Sequence, residues 1–178
     1  MASDLVTRNL LLAANLISKF RGISSQNTLN NIETGGLLFG ELQHNTYVVD
    51  KLVIPKQVGR DDYWNTTDET EIATFQLYNP SLILLRTIHT HPRWNSIPSS
   101  VDLHQQFDIQ KDNKSAIGII LGAEEIDCPI ISILQEGMEV LGACGQRGFH
   151  PHNRRILNES ARHVDILEEL DTTVVDQR

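Results

Sequence analysis

Cysteine is scarce in this chain: two residues in 178, Cys128 and Cys144. Two thiols do not build a disulfide framework, and a reducing compartment is compatible. Long apolar runs are also missing. No stretch approaches the ~18 residues of a membrane span, and LLLAANLI (10–17) is bounded by polar residues. The first four residues, MASD, lack the basic start of a signal peptide. Cytoplasmic residence and no membrane insertion are therefore expected. Basic residues are outnumbered, 15 Lys and Arg against 23 Asp and Glu, for a net charge of −8. Nucleic-acid affinity draws largely on Lys and Arg, so no nucleic-acid partner is expected. An acidic surface suits basic partners or simply stays solvated.

What is present is ordinary for a globular protein: 40% hydrophobic and 21% charged residues, in a length that suits one domain over residues 1–178. Residues 4–20 read as an amphipathic helix, about 4–21 with its ends, capped by Ser3 or Asp4 and stopped near Gly22. SSQNTLNN (24–31) reads as a polar loop, and the core then runs from about residue 30 to 178. TGGLLFGEL (34–42) and TYVVDKLVIP (46–55) read as strands joined by a short hairpin. Residues 56–67 read as an exposed loop. TDETEIATFQLYN (67–79) reads as a capped helix ended by Pro80. SLILLRTIHT (81–90) is nearly continuously apolar, as a strand buried on both faces would be. A helix is expected over 99–111, and strands over 115–123, 129–135 and 138–143, with Cys128 a buried strand residue. RHVDILEEL is expected to be helical and TTVVD to be a last strand. Interspersed strands and helices imply an α/β fold, a mixed sheet flanked by helices.

The stretch HTHPRWNSIPSSVDLH (89–104) gathers three of the seven histidines. His89 and His91, one residue apart on a strand, share a face. Pro92 ends that strand and leaves both imidazoles at its mouth. Ser99 opens a helix, with Asp102 in its first turn. Two imidazoles and one carboxylate with a fourth position free are the ligand set of a catalytic zinc. Such an ion lowers the pKa of its water from about 15.7 toward ~7. Alone, the HxH pair fits a surface strand as well, and Ser99 and Ser100 are equally placed to cap the helix.

The spacing H-x-H-x7-S-x2-D resembles the JAMM (MPN+) metalloprotease motif, with every defining position filled. That family carries a glutamate before a glycine-rich strand, and Glu33 in NIETGGLLFG looks like its counterpart. The resemblance implies an MPN domain, a curved mixed sheet with layers like those of cytidine deaminases. It implies zinc on His89, His91 and Asp102. Glu33 would be the general base that later protonates the leaving amine, and Ser99 would hydrogen-bond the oxyanion. A positioned carboxylate and a hydroxyl aimed at developing charge suit those roles.

His104 lies two residues past Asp102, a rotation of about 200° on a helix. It points away from the first ligand set. CGQRGFHPH (144–152) offers Cys144, His150 and His152. With His104 they make four ligands, the number a closed structural zinc takes; a polar loop with exposed histidines is the alternative. The JAMM subfamily of AMSH-type deubiquitinases carries SSVDLH, an IPKQ strand end and a C-x5-H-x-H run ending GFHPH, and this chain has all three. The ending TTVVDQR is similar too. The likeness covers most of residues 30–178 and implies a second, structural zinc, hence two ions per chain.

The same resemblance implies hydrolysis of isopeptide bonds in polyubiquitin, with a preference for lysine-sixty-three linkages, by a monomer. Residues 56–67 and the segment from about 115 through the zinc-clipped loop would form the ubiquitin-binding walls. The ubiquitin tail would lie along a strand edge. Phe149 would touch the proximal ubiquitin or pack beneath its own loop; Trp94 would wall the cleft or be partly buried structure. Endosome association through partners is the family's expectation.

The chain departs from the pattern at RWNSIP (93–98), in QQFDIQKDN (105–113), which lacks the subfamily's further histidine, and between His152 and Asp171. These changes bear on linkage preference and turnover. The microtubule-interacting domain of full-length members has no counterpart here, which implies a fragment or another mode of recruitment. The rival readings are a JAMM peptidase for another ubiquitin-like protein and a non-catalytic MPN scaffold. A zinc deaminase would need a pair of cysteines two residues apart, and none occurs.

Overall fold

A computed structural model describes residues 9–94, 96–113, 116–123, 130–134, 137–141 and 164–178. Its first elements differ from the expected helix over 4–20. Asn9–Ala13 is a strand, β1, and the helix α1 spans Leu16–Leu29. A short apolar run such as LLLA fits either state by periodicity. Here tertiary pairing decides: β1 lies parallel to the strands Thr46–Ile54 and Val164–Leu167, one on each side. Both partners are distant in sequence. Leu10, Leu12, Leu16 and Phe20 are fully buried, so residues before 30 contribute to the core.

Gly22 does not stop α1, which runs on through the stretch expected to be a loop. Its end is set by a Schellman closure. Ile32 N–H donates to Asn27 O at 2.9 Å and Asn31 N–H to Thr28 O at 3.0 Å. Asn31 takes the left-handed conformation (φ 57°) that this closure needs. The chain is thereby turned directly into Glu33.

Strands β2 (Gly35–Gln43) and β3 (Thr46–Ile54) form an antiparallel hairpin. Two short strands, β4 (Gln57–Gly59) and β5 (Trp64–Thr66), replace the expected exposed loop, and Trp64 is buried. Helix α2 (Glu69–Tyr78) is capped by Asp68, whose side chain accepts from Thr70 N–H. Strand β6 (Ile83–Thr90) pairs antiparallel with β2. Helix α3 (Ser100–Asp112) crosses over to β7 (Ile117–Leu121), parallel to β6. Strands β8 (Ile130–Leu134), β9 (Gly137–Leu141), β10 (Val164–Leu167) and β11 (Thr173–Asp176) follow. Residues 164–167 of the expected helix RHVDILEEL are thus strand β10.

The nine-stranded sheet has the order β10-β1-β3-β2-β6-β7-β8-β9, with β11 also on β3. One edge of β3 is shared, β1 taking its first half and β11 its second. The faces divide the apolar residues by strand alternation, except where the β2–β6 register skips Leu85 and puts it on the same side as Ile88. Leu38, Leu52, Leu85 and Ile88 pack with α1, while Leu37, Phe39 and Val53 pack with Trp64 and Phe75 of α2. This mixed sheet with helices on both faces is the expected MPN-type α/β fold. No helix among the described residues is long and apolar enough to cross a membrane.

Candidate metal centre

Strand register brings the ligands together. The β2–β6 pairing sets Gly35 opposite His89. Continued two residues past that pair, the same register sets Glu33 opposite His91. Thr90 N–H donates to Thr34 O, and Thr34 N–H to Thr90 Oγ1, both at 3.0 Å, so the continuation is hydrogen-bonded. His89 and His91 are both buried.

Asp102 arrives from α3. Ser99, not Ser100, is the N-cap. Its Oγ accepts from Asp102 N–H at 3.2 Å, and Asp102 Oδ2 accepts from Ser99 N–H at 2.6 Å, a reciprocal capping box. The box fixes the carboxylate's orientation. Its Oδ1 lies 3.0 Å from His89 Nε2 and its Oδ2 3.3 Å from His91 Nε2, and the two Nε2 atoms are 3.1 Å apart. Among the described residues this is the one group of three or more such side chains able to hold a metal ion. Bonds of ~2.0–2.2 Å meeting near the tetrahedral angle place neighbouring ligand atoms roughly 3.3 Å apart, so the spacing fits zinc.

The local electrostatics separate the two carboxylates. Burial alone would raise Asp102, but hydrogen bonds from His89, His91 and Ser99 hold it far below the usual carboxylate range. Glu33 is pushed up to about 7, chiefly by burial; His91 works against this, while Asp102, Asp62 and Asp61 add to it. Glu33 Oε1 stands 3.9 Å from His91 Nε2. A cluster thus holds a stably ionised ligand beside a carboxyl poised to exchange protons near neutrality.

A profile of the family described as JAB1/Mov34/MPN/PAD-1 ubiquitin protease matches residues 6–115. The chain belongs to this family. It is 35% identical over 172 residues to a STAM-binding protein-like chain of Xenopus laevis, covering 96% of this chain and 41% of that one. It is 34% identical over 172 residues to an AMSH-like protease of Mus musculus, covering 96% and 39%. The chain therefore spans about two fifths of the length of these relatives. The solution structure of a Desulfitobacterium hafniense protein matches with a TM-score of 0.58 at 17% identity, over 90% of this chain and 94% of that one. That last likeness is one of fold.

Within this JAB/MPN-family chain, the second expected ligand set is seen only in part. His104 is exposed on α3, and its Nδ1 lies 2.6 Å from Ser100 O. A carbonyl takes a donor, so Nδ1 carries a proton. Cys144, His150 and His152 lie outside the described residues, as do Phe149 and Cys128. Trp94 is 63% exposed. Its carbonyl accepts from Ala123 N–H at 3.1 Å, holding the loop after His91 to the end of β7. Sequence reasoning gave Gln57 no role beyond a place in the IPKQ run. Yet its side chain bonds to Gly35, two residues from Glu33.

Proposed function

We propose that this protein is a zinc-dependent deubiquitinase that hydrolyses isopeptide bonds in polyubiquitin, with lysine-sixty-three-linked chains as the preferred substrate. The observation that carries the reading is the buried cluster of His89, His91 and Asp102 with Glu33 beside it, in a chain of the JAB/MPN ubiquitin protease family. The family's description as a ubiquitin protease supports the substrate class, and the name of a relative, AMSH-like protease, supports the reaction.

His89, His91 and Asp102 would hold the ion. When bound, zinc supplies Lewis acidity, polarising a carbonyl and lowering the pKa of coordinated solvent toward ~7. Glu33 takes a proton from the attacking water and delivers it to the leaving lysine amine. Ser99 uses one Oγ lone pair to accept from Asp102 N–H. Its own hydrogen can then be donated to the substrate oxygen as charge builds there. Capping and catalysis are thus compatible in one side chain.

The reading extends to a second zinc on His104, Cys144, His150 and His152, to a single MPN unit over residues 1–178, and to a monomer without nucleic-acid partners. Cytoplasmic action near endosomes follows from the resemblance. The exposed Trp94 would line the cleft, and Phe149 would meet the proximal ubiquitin.

The test is digestion of a panel of diubiquitin linkages with and without a chelator. Cleavage led by the lysine-sixty-three linkage, abolished by chelation and restored by zinc, is expected. No cleavage of any linkage by zinc-loaded protein would favour the scaffold reading, and chelator-resistant cleavage would remove the metal from the chemistry.

A further inference from the structure

The main sheet has a gap in its ladder beside Glu33. The β2–β3 register pairs Leu37 with Val53. Extended two residues, it sets Pro55 opposite Gly35. Proline has no N–H to give, so the ladder stops and Gly35 needs other partners. Gln57 supplies them from one side chain. Gly35 N–H donates to Gln57 Oε1 at 2.7 Å, and Gln57 Nε2 donates to Gly35 O at 2.7 Å and to Pro55 O at 3.2 Å. A planar amide therefore takes the place of the missing strand residue. Glutamate would keep the acceptor and lose the donor.

The same β4–β5 hairpin meets Glu33 and its neighbour at three more points. Glu33 N–H donates to Arg60 O at 2.7 Å. Gly59 lies so close that a Cβ there would stand 2.1 Å from Glu33 O. The Trp64 indole covers Gly35, where a Cβ would stand 2.0 Å from the ring. None of these side chains belongs to the metal-ligand cluster.

We propose that Gln57 is a positioning residue for Glu33. By locking residues 33–35 to the β4–β5 hairpin, it fixes where the Glu33 carboxylate stands and ties catalysis to the placement of that hairpin. This rests on the reading of Glu33 as the base. Its consequence is that the hairpin does more than face a substrate: displacing it moves the base.

The experiment compares zinc-loaded wild type, Gln57→Ala, Gln57→Glu, Glu33→Gln and the Gln57→Ala/Glu33→Gln double variant. It follows steady-state cleavage of lysine-sixty-three-linked diubiquitin, zinc content, and hydrogen exchange at the Gly35 amide. Both Gln57 variants should keep wild-type zinc content, and Gln57→Ala, which removes the acceptor of the Gly35 N–H, should exchange that amide faster. They should lose kcat by about 10- to 100-fold, with KM within about twofold. The double variant should be no slower than Glu33→Gln alone, because both changes act through one group. If Gln57→Ala fails to fold, Gln57→Glu carries the comparison. Near-normal kcat in the Gln57 variants with an inactive Glu33→Gln would overturn the positioning role and leave the base reading intact. A rise in KM alone, an unchanged Gly35 exchange rate in Gln57→Ala, or a double variant slower than Glu33→Gln would overturn it as well. Full activity in Glu33→Gln would remove the base reading, and this proposal with it.

Discussion

Ser99 carries two proposed duties on one oxygen, and substitutions can part them. Glycine is nearly as good an N-cap as serine, whereas alanine costs about 1 kcal/mol. Ser99→Ala should therefore lose stability in chemical denaturation, and Ser99→Gly much less. Both should lose roughly 10²–10³ in kcat if the hydroxyl serves the oxyanion. Activity that tracks stability instead would leave Ser99 as a cap alone. Glu33 makes a prediction with a definite sign. In the metal-free chain its carboxyl is raised from 4.5 to about 7 by burial. Between those values the folded state binds more protons than the unfolded one, so stability falls as pH climbs through that window. Metal-stripped Glu33→Gln should thus be more stable than wild type at pH 8, by ~1–3 kcal/mol, and nearly equal to it at pH 4. Equal stability at both pH values would show that the buried charge costs nothing. Asp102 contributes oppositely: held low, it stabilises above its ordinary 3.8 and loses that contribution as pH falls. The cluster of His89, His91 and Asp102 was legible because HxH and S-x2-D are local patterns. The meeting of Glu33 with His91 needs the β2–β6 register, and the duty of Gln57 needs Pro55 set opposite Gly35. Neither can be read from spacing along the chain.

The β4–β5 hairpin shows why element assignment was harder than ligand assignment. Each of its strands has three residues, too few to print a period, and its anchor is a tryptophan lying on a glycine of another strand. Gly35→Ala would drive a methyl group into the Trp64 ring, a cost of ~1–3 kcal/mol for overpacking. Trp64→Ala empties a core position. The two changes meet at one contact, so the double variant should be less destabilised than the sum of the singles. Strict additivity in denaturant melts would mean that the ring and Gly35 do not press on each other. The strands β1 and β10 were misread for a related reason. Each is short and apolar, and each owes its state to pairing with the other across some 150 residues. Strands β2, β3 and β6 carry longer β-patterned runs and were found from the sequence. Helix α1 overshot its expected stop because an asparagine, not the earlier glycine, takes the left-handed turn.

At the scale of the molecule, two distant segments close one architecture. Asn15 and Lys19 of the α1 region bond to Asp171 and Thr172, holding the last strand beside β1 on the edge of β3. The mixed sheet class was legible from interspersed elements; its strand order was not, since order depends on contacts that composition does not encode. Among the described residues, the fold delivers a place where a strand end and a helix start bring His89, His91 and Asp102 close enough to hold one small cation. Titration of zinc into metal-stripped protein, followed by calorimetry, tests this most directly when wild type is compared with the His89→Ala/His91→Ala variant. Wild type should bind one ion more per chain than the variant, with that ion's binding weakening as pH falls. Equal stoichiometry in the two proteins would contradict the account.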